Sequence, residues 1–251
     1  MIQQLLLKLY STKDVLFHIR ADMPTITFAD ALKHRSIDTW QKILTHRFIM
    51  ELSSDILPPN KFVFYLRQDH YFLEEFSKFL NSAKRKTRDN KLKEWLDSLY
   101  LSTVNFEMEM QKQLLNSLAS LSSSSNSVTN AVNYDIIIPS KTTFDYTCYL
   151  KHTSSSGTFS EIVSVMAACP WTYLEIADKS SKIDIRNEIF RNWVQFYSSN
   201  ESRRQVEGIK QILNMLAEKE NEKSKNAMEN HFIIACKYEY LFWEMAYRLG
   251  S

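Results

Sequence analysis

The chemistry available to this chain rests on one thiol and a few acids set among apolar residues. Its three cysteines, Cys148, Cys169 and Cys236, are odd in number and widely spaced, with no C-x-x-C pair. Neither a disulfide framework nor a zinc knuckle is indicated, so any role is individual. Cys169 is followed by Pro170, which cannot donate to the carbonyl of Met166 and is expected to kink the helix beside the thiol. Tyr173, four residues on, shares the thiol's helical face. A thiol so placed is either a nucleophile or a small buried apolar residue. Glu239 stands among Tyr238, Tyr240, Phe242 and Trp243. A buried carboxylate costs free energy unless paired, which leaves a site residue or a structural ion pair. Asp69 falls on or beside the buried face of a helix that is apolar at Tyr65, Phe72 and Leu73. Neither Lys61 nor Arg67 stands three or four residues from it, the spacing at which helical side chains meet.

A metal centre is the first alternative to test. Di-iron bundles need two Glu-x-x-His pairs, each with both ligands on one face. None of His18, His34, His46, His70, His152 and His231 has a glutamate three residues before it. The pairs cannot be built, and no metal is expected.

Composition narrows the class further. The chain's 251 residues fit one large domain or two small ones. Gly157, Gly208 and Gly250 are its only glycines. Phosphate-cradling loops need several glycines close together, so nucleotide folds built on them are excluded, and parallel α/β sheets are disfavoured. The net charge is +2 with both signs interleaved, and no basic face for nucleic acid stands out. Lys84-Arg85-Lys86-Thr87-Arg88 is followed at once by Asp89 and reads as a solvated corner. No apolar run approaches a membrane span, and residues 1–7 do not make a signal-peptide core. A cytoplasmic protein is expected.

The elements that must position these groups read as helices. Between 37 and 54, Trp40, Ile43, Leu44, Phe48 and Leu52 recur at three- and four-residue steps. Helices are also expected over about 61–81 and over 89–118, the latter carrying Trp95, Leu99, Phe106, Met110 and Leu114 as its apolar stripe. Others are expected over 142–152, 159–177, 183–197, 202–220 and 224–248. Ser154–Gly157 reads as a turn, 120–127 as a solvated serine loop, and 134–138 as the one strand-like run, which Pro139 ends. Residues 1–34 suggest an amphipathic helix and then an extended piece near Met23-Pro24-Thr25. The fold class is all-α, a single-domain bundle of roughly seven to ten helices.

Four segments in order carry a resemblance to a known family. Tyr65-Leu66-Arg67-Gln68-Asp69-His70-Tyr71-Phe72-Leu73 resembles the Y-x-x-Q-D-x-Y-Y-L signature of the TenA/thiaminase II family, preceded by Trp40 and Thr45-His46-Arg47-Phe48-Ile49. Ala168-Cys169-Pro170-Trp171-Thr172-Tyr173-Leu174-Glu175-Ile176 is similar to its P-C-x-W-x-Y-x-E-[VI] run. Asn192-Trp193-Val194-Gln195-Phe196-Tyr197 resembles K-W-I-x-x-Y, and Tyr238–Tyr247 resembles Y-E-x-x-F-W-x-M-A-Y. The likeness runs from about 35 to 248. It divides the chain into an N-terminal extension, 1–34, and a TenA-like helical domain, 35–249.

What the resemblance implies is specific. Such proteins are haem-oxygenase-like helical bundles that associate as homotetramers and hold a 4-amino-2-methylpyrimidine in a deep pocket without metal or cofactor. They release hydroxymethylpyrimidine from aminomethyl-aminopyrimidine, or cleave thiamin into pyrimidine and thiazole. Carried across, Cys169 is the nucleophile and Glu239 the general acid at a ring nitrogen. Asp69 takes the substrate's amino group, while Tyr146, Tyr173, Tyr197, Phe72 and Phe242 line the pocket. Phe72 departs from the family's tyrosine, removing a hydroxyl, and Arg47 replaces a proline. Two other readings stay open: a catalytically weak pyrimidine-binding or regulatory protein, and a haem oxygenase with His18 or His34 as proximal ligand.

Overall fold

The structure, a computed structural model, describes residues 26–121 and 137–250. Expectations for residues 1–25, for 122–127 of the serine run and for 134–136 lie outside these. Among the described residues there are eleven α-helices and no strand: α1 Phe28–Arg35, α2 Ile37–Leu44, α3 Arg47–Ser53, α4 Pro59–Ala83, α5 Asn90–Ser102, α6 Met108–Leu121, α7 Lys141–Ser156, α8 Phe159–Ser180, α9 Glu188–Tyr197, α10 Asn200–Lys219 and α11 Glu222–Arg248. A π-helical turn, Thr103–Glu107, joins α5 to α6. The class is the all-α bundle expected.

Local chemistry sets where helices begin. Thr27, Asp89, Ser140, Asn187, Ser199 and Asn221 each accept a hydrogen bond from a first-turn backbone N–H. α8 opens with a capping box between Thr158 and Glu161. Proline occupies the first position of α4, where its missing N–H is no loss.

Several boundaries differ from expectation. The single helix over 37–54 is two helices, divided at Thr45 and His46. There Thr45 Oγ1 bonds back to the Gln41 carbonyl, and His46 Nδ1 caps α3 by accepting from Phe48 N at 3.1 Å. With α1, and with the helix over 89–118 divided at the π turn, the described residues hold eleven α-helices rather than the seven to ten expected. The turn at Ser154–Gly157 is instead the last turn of α7. Ser154, Ser155 and Ser156 direct their hydroxyls to helix carbonyls one turn back, and Gly157 is the C-cap. Ser120 is also helical. Residues 183–187 precede α9, which starts only after the Asn187 cap. Ile137 and Ile138 form no strand. Gln68 serves in place of a sheet partner, donating to the Ile138 carbonyl at 3.1 Å and accepting from Ser140 N at 2.8 Å and from Thr143 Oγ1 at 2.7 Å.

α8 is the hub. It is buried nearly all round, as its apolar run Ile162–Ala168 requires, and the helix continues through Pro170. It packs on α11, α10, α9 and α7, while α4 packs on α7, α6 and α11. These contacts bring the motif-bearing helices together. α1 packs on α10 and α11 with Ala29 and Leu32 buried.

Candidate active site

Seven elements contribute to one cluster. From α8, the thiol of Cys169 donates to the carboxylate of Glu239 on α11. From α7, Tyr146 donates to Glu239 Oε1 at 2.7 Å. Phe72 of α4 lies against Tyr146, with ring centroids 5.0 Å apart, and against Phe242 of α11 at 6.0 Å. Phe242 in turn meets Tyr65 edge-on at 6.4 Å. Tyr65 donates to Asp69 Oδ2 at 3.0 Å and accepts from Trp193 Nε1 at 3.1 Å. Gln111 of α6 donates to the same Oδ2 at 2.5 Å. Tyr173 packs on Tyr197 of α9 at 4.9 Å, and Tyr197 donates to Glu107 Oε1 at 2.8 Å. All eight residues singled out from the sequence therefore belong to one contiguous network.

A cavity of about 610 Å³ opens beside it, within the range of small-molecule sites. Cys169, Pro170, Tyr173, Tyr197 and Glu107 form part of its wall. Its mouth carries Leu101 and Phe106, which are 51% and 64% exposed. Asp69, Phe72, Tyr146, Glu239 and Phe242 stand behind the wall rather than on it, each at most 3% exposed.

Burial dominates the electrostatics. It pushes the carboxyl of Glu239 up to about 7, against the hydrogen bonds from Tyr146 and Cys169 that favour the ionised form. Glu107 is likewise raised to about 7 by burial, opposed by Tyr197. Asp69 is pushed well above the usual carboxylate range by burial, then by the neighbouring charge of Glu107. The Cys169 thiol is also pushed well up, first by burial and then by Glu239, Glu107 and Asp69. Its resting form is the thiol, and a base must take its proton before it can attack. Glu239 already holds that hydrogen bond. Two carboxyls poised near neutrality beside a thiol are groups suited to proton transfer.

Glu107 and Gln111 are the residues that reading the sequence missed. The expected stripe placed Phe106 inside, yet Phe106 is exposed while Thr103 and Gln111 are buried. Leu99, Thr103, Glu107, Gln111 and Leu115 stand four apart in succession. An ordinary helix drifts by roughly 40° at each such step, and a π turn absorbs the excess. That run of fours was the available signal. His34, a candidate proximal ligand, is exposed on α1. Among the described residues no cluster of three or more His, Cys, Asp or Glu is placed to hold a metal ion, and no helix is long and apolar enough to cross a membrane.

The bundle with a buried acid–thiol cluster defines an all-α protein with a heme oxygenase-like fold. A Shewanella denitrificans domain described in those words superposes with a TM-score of 0.65 at 12% identity, covering 87% of this chain and 91% of that one. A TenA homologue from P. horikoshii superposes at 0.77 with 28% identity, over 89% of this chain and 99% of the other. The model of the TENA/THI-4/PQQC family matches residues 34–249, and the chain belongs to that family. Among curated relatives, the aminopyrimidine aminohydrolase of Bacillus subtilis is 28% identical over 221 residues, 88% of this chain and 90% of the relative. That of Helicobacter pylori is 26% identical, over 83% and 93%.

Proposed function

We propose that this chain is a hydrolase of aminopyrimidines that serves thiamin salvage. It releases hydroxymethylpyrimidine from the aminomethyl compound and cleaves thiamin at the same methylene carbon. The observation that carries this reading is the hydrogen-bonded run Tyr146–Glu239–Cys169, whose thiol end forms part of a cavity wall, in a chain whose relatives bear the name aminopyrimidine aminohydrolase.

The thiol holds its proton more tightly than the Glu239 carboxyl, so the transfer is coupled to formation of the sulfur–carbon bond. Glu239 takes the proton of Cys169 and delivers it to a ring nitrogen as the thiolate adds to a ring carbon. The proton lost by sulfur is the one gained by nitrogen, so no charge is stranded in the buried site. With aromaticity broken, the ring's electrons expel the amine or thiazole from the methylene carbon. Water adds to that carbon and gives up a proton to the released amine or to solvent, and the sulfur departs as the ring nitrogen's proton returns to it through Glu239, restoring the ring and the thiol. Asp69, Tyr146, Phe72 and Phe242 stand behind the cavity wall in the free protein, so binding of the ring must uncover them. Asp69 then accepts from the ring amino group, and Tyr173, Tyr197, Tyr146, Phe72 and Phe242 shape the pocket by stacking and hydrogen bonding. These steps need no metal or cofactor. The protein acts in the cytoplasm as a homotetramer. Exposed Met50, Ile56 and Phe144 support an assembly that covers apolar surface, and light scattering checks its mass.

Cys169→Ser and Glu239→Gln are each expected to lower hydroxymethylpyrimidine release on the order of a thousandfold or more, with unchanged circular dichroism. Wild-type turnover in either variant overturns the assigned roles. Phe72, ring-packed and without the family's hydroxyl, favours a second reading as a pyrimidine-binding regulator. Calorimetric binding of hydroxymethylpyrimidine, with no hydrolysis by the wild-type chain, decides for it.

A further inference from the structure

Glu107 has no part in the bond-making steps, yet the fold brings it to the cavity by a departure from regular helix. The π turn Thr103–Glu107 places its carboxylate on the wall shared with Cys169, where the Tyr197 phenol holds it at 2.8 Å. π turns of this kind often occur at functional sites. The charge of the surroundings is one-sided. Among the described residues the cavity wall has Glu107 and Glu201 but no lysine, arginine or histidine, and Asp69 and Glu239 act on the thiol from behind it. Such a wall disfavours anions and neutralises cations.

Both candidate substrates carry a cation on the methylene carbon, an ammonium in one and a thiazolium in the other. We propose that Glu107 is the counter-ion of this positively charged leaving group, held in register by Tyr197, and so selects substrate over the neutral product. This rests on the aminopyrimidine reading above. Product, with a hydroxyl in place of the cation, loses the charge-assisted contact and is released.

The test is calorimetry with two probes, the aminomethyl-aminopyrimidine and the hydroxymethyl-aminopyrimidine, on the Cys169→Ser chain, which does not turn over. The cationic probe is expected to bind at least roughly tenfold more tightly. Adding Glu107→Gln should bring the two affinities to within about twofold of each other, chiefly by weakening the cationic probe. Glu107→Asp, which keeps the charge, should retain part of the preference. A Glu107→Gln chain that weakens both probes equally, or that keeps the tenfold ratio, overturns the proposal. So does a ratio near one in the Cys169→Ser chain, a result that needs no Glu107 variant to fold. If neither probe binds even the wild-type chain, the aminopyrimidine reading itself fails. Binding of both with no cationic preference removes only the role of Glu107.

Discussion

Tyr146 donates its phenolic hydrogen to Glu239 Oε1 at 2.7 Å, so the carboxylate that receives the Cys169 thiol is anchored from a second helix. The bond fixes the direction of the acid and favours its ionised form, while burial pulls the other way.

The first prediction follows from that opposition. Glu239 must be ionised to accept the thiol proton, so kcat/KM should rise with pH through a midpoint near 7. Tyr146→Phe removes a bond that lowers the carboxyl's proton affinity. The midpoint should then move up by about one unit, with a loss of roughly fivefold at pH 7. An unshifted profile in this variant disconnects the tyrosine from the acid.

The same carboxyl weakens the free protein as pH rises. Its folded-state value, about 7, lies above the ordinary 4.5, so the folded state holds the proton more tightly than the unfolded chain. Stability is therefore lost between about pH 4.5 and 7, and the full cost, on the order of 3 kcal/mol, is present above 7. Glu239→Gln carries no such charge. Its melting temperature should gain on wild type as pH is raised from 5 to 8, in scanning calorimetry without ligand.

Glu175 lies in the C-terminal half of α8. Its carboxylate accepts from Trp40 Nε1 and Trp171 Nε1, each at 2.9 Å, and pairs with Lys33 at 2.5 Å. Trp40 is fully buried, so its indole N–H has no water to turn to. Glu175→Ala should cost about 2–3 kcal/mol in urea denaturation, and Glu175→Gln less, because the amide keeps one acceptor oxygen. Equal losses would mean that the Lys33 charge pair matters more than the indole bonds.

Asp55 sets the start of α9, the helix that ends at Tyr197. Its backbone is left-handed, with φ at 60°, and its carboxylate accepts from Arg186 N at 2.7 Å and Asn187 N at 3.1 Å. Asp55→Ala loses both bonds and keeps the backbone strain, for about 2 kcal/mol. Asp55→Gly relieves the strain alone and should melt above the alanine variant. The reverse order would show that the left-handed turn is not maintained.

Periodicity and scarce glycine were enough to determine an all-α class, because helix formation depends on neighbours three and four residues away. The motifs around Asp69, Cys169 and Glu239 likewise marked candidate residues, since their order and spacing survive in one dimension. What only the tertiary structure decided is how α4, the π turn, α7, α8, α9 and α11 bring those groups into one network beside a cavity. Burial by distant segments lifts Glu239 and Glu107 to about 7, and no local pattern encodes it. Glu107 shows the limit most plainly. Read with an ordinary helical period, Phe106 belongs inside; the π turn reverses this, because long-range packing outweighs the intrinsic preference for regular helix.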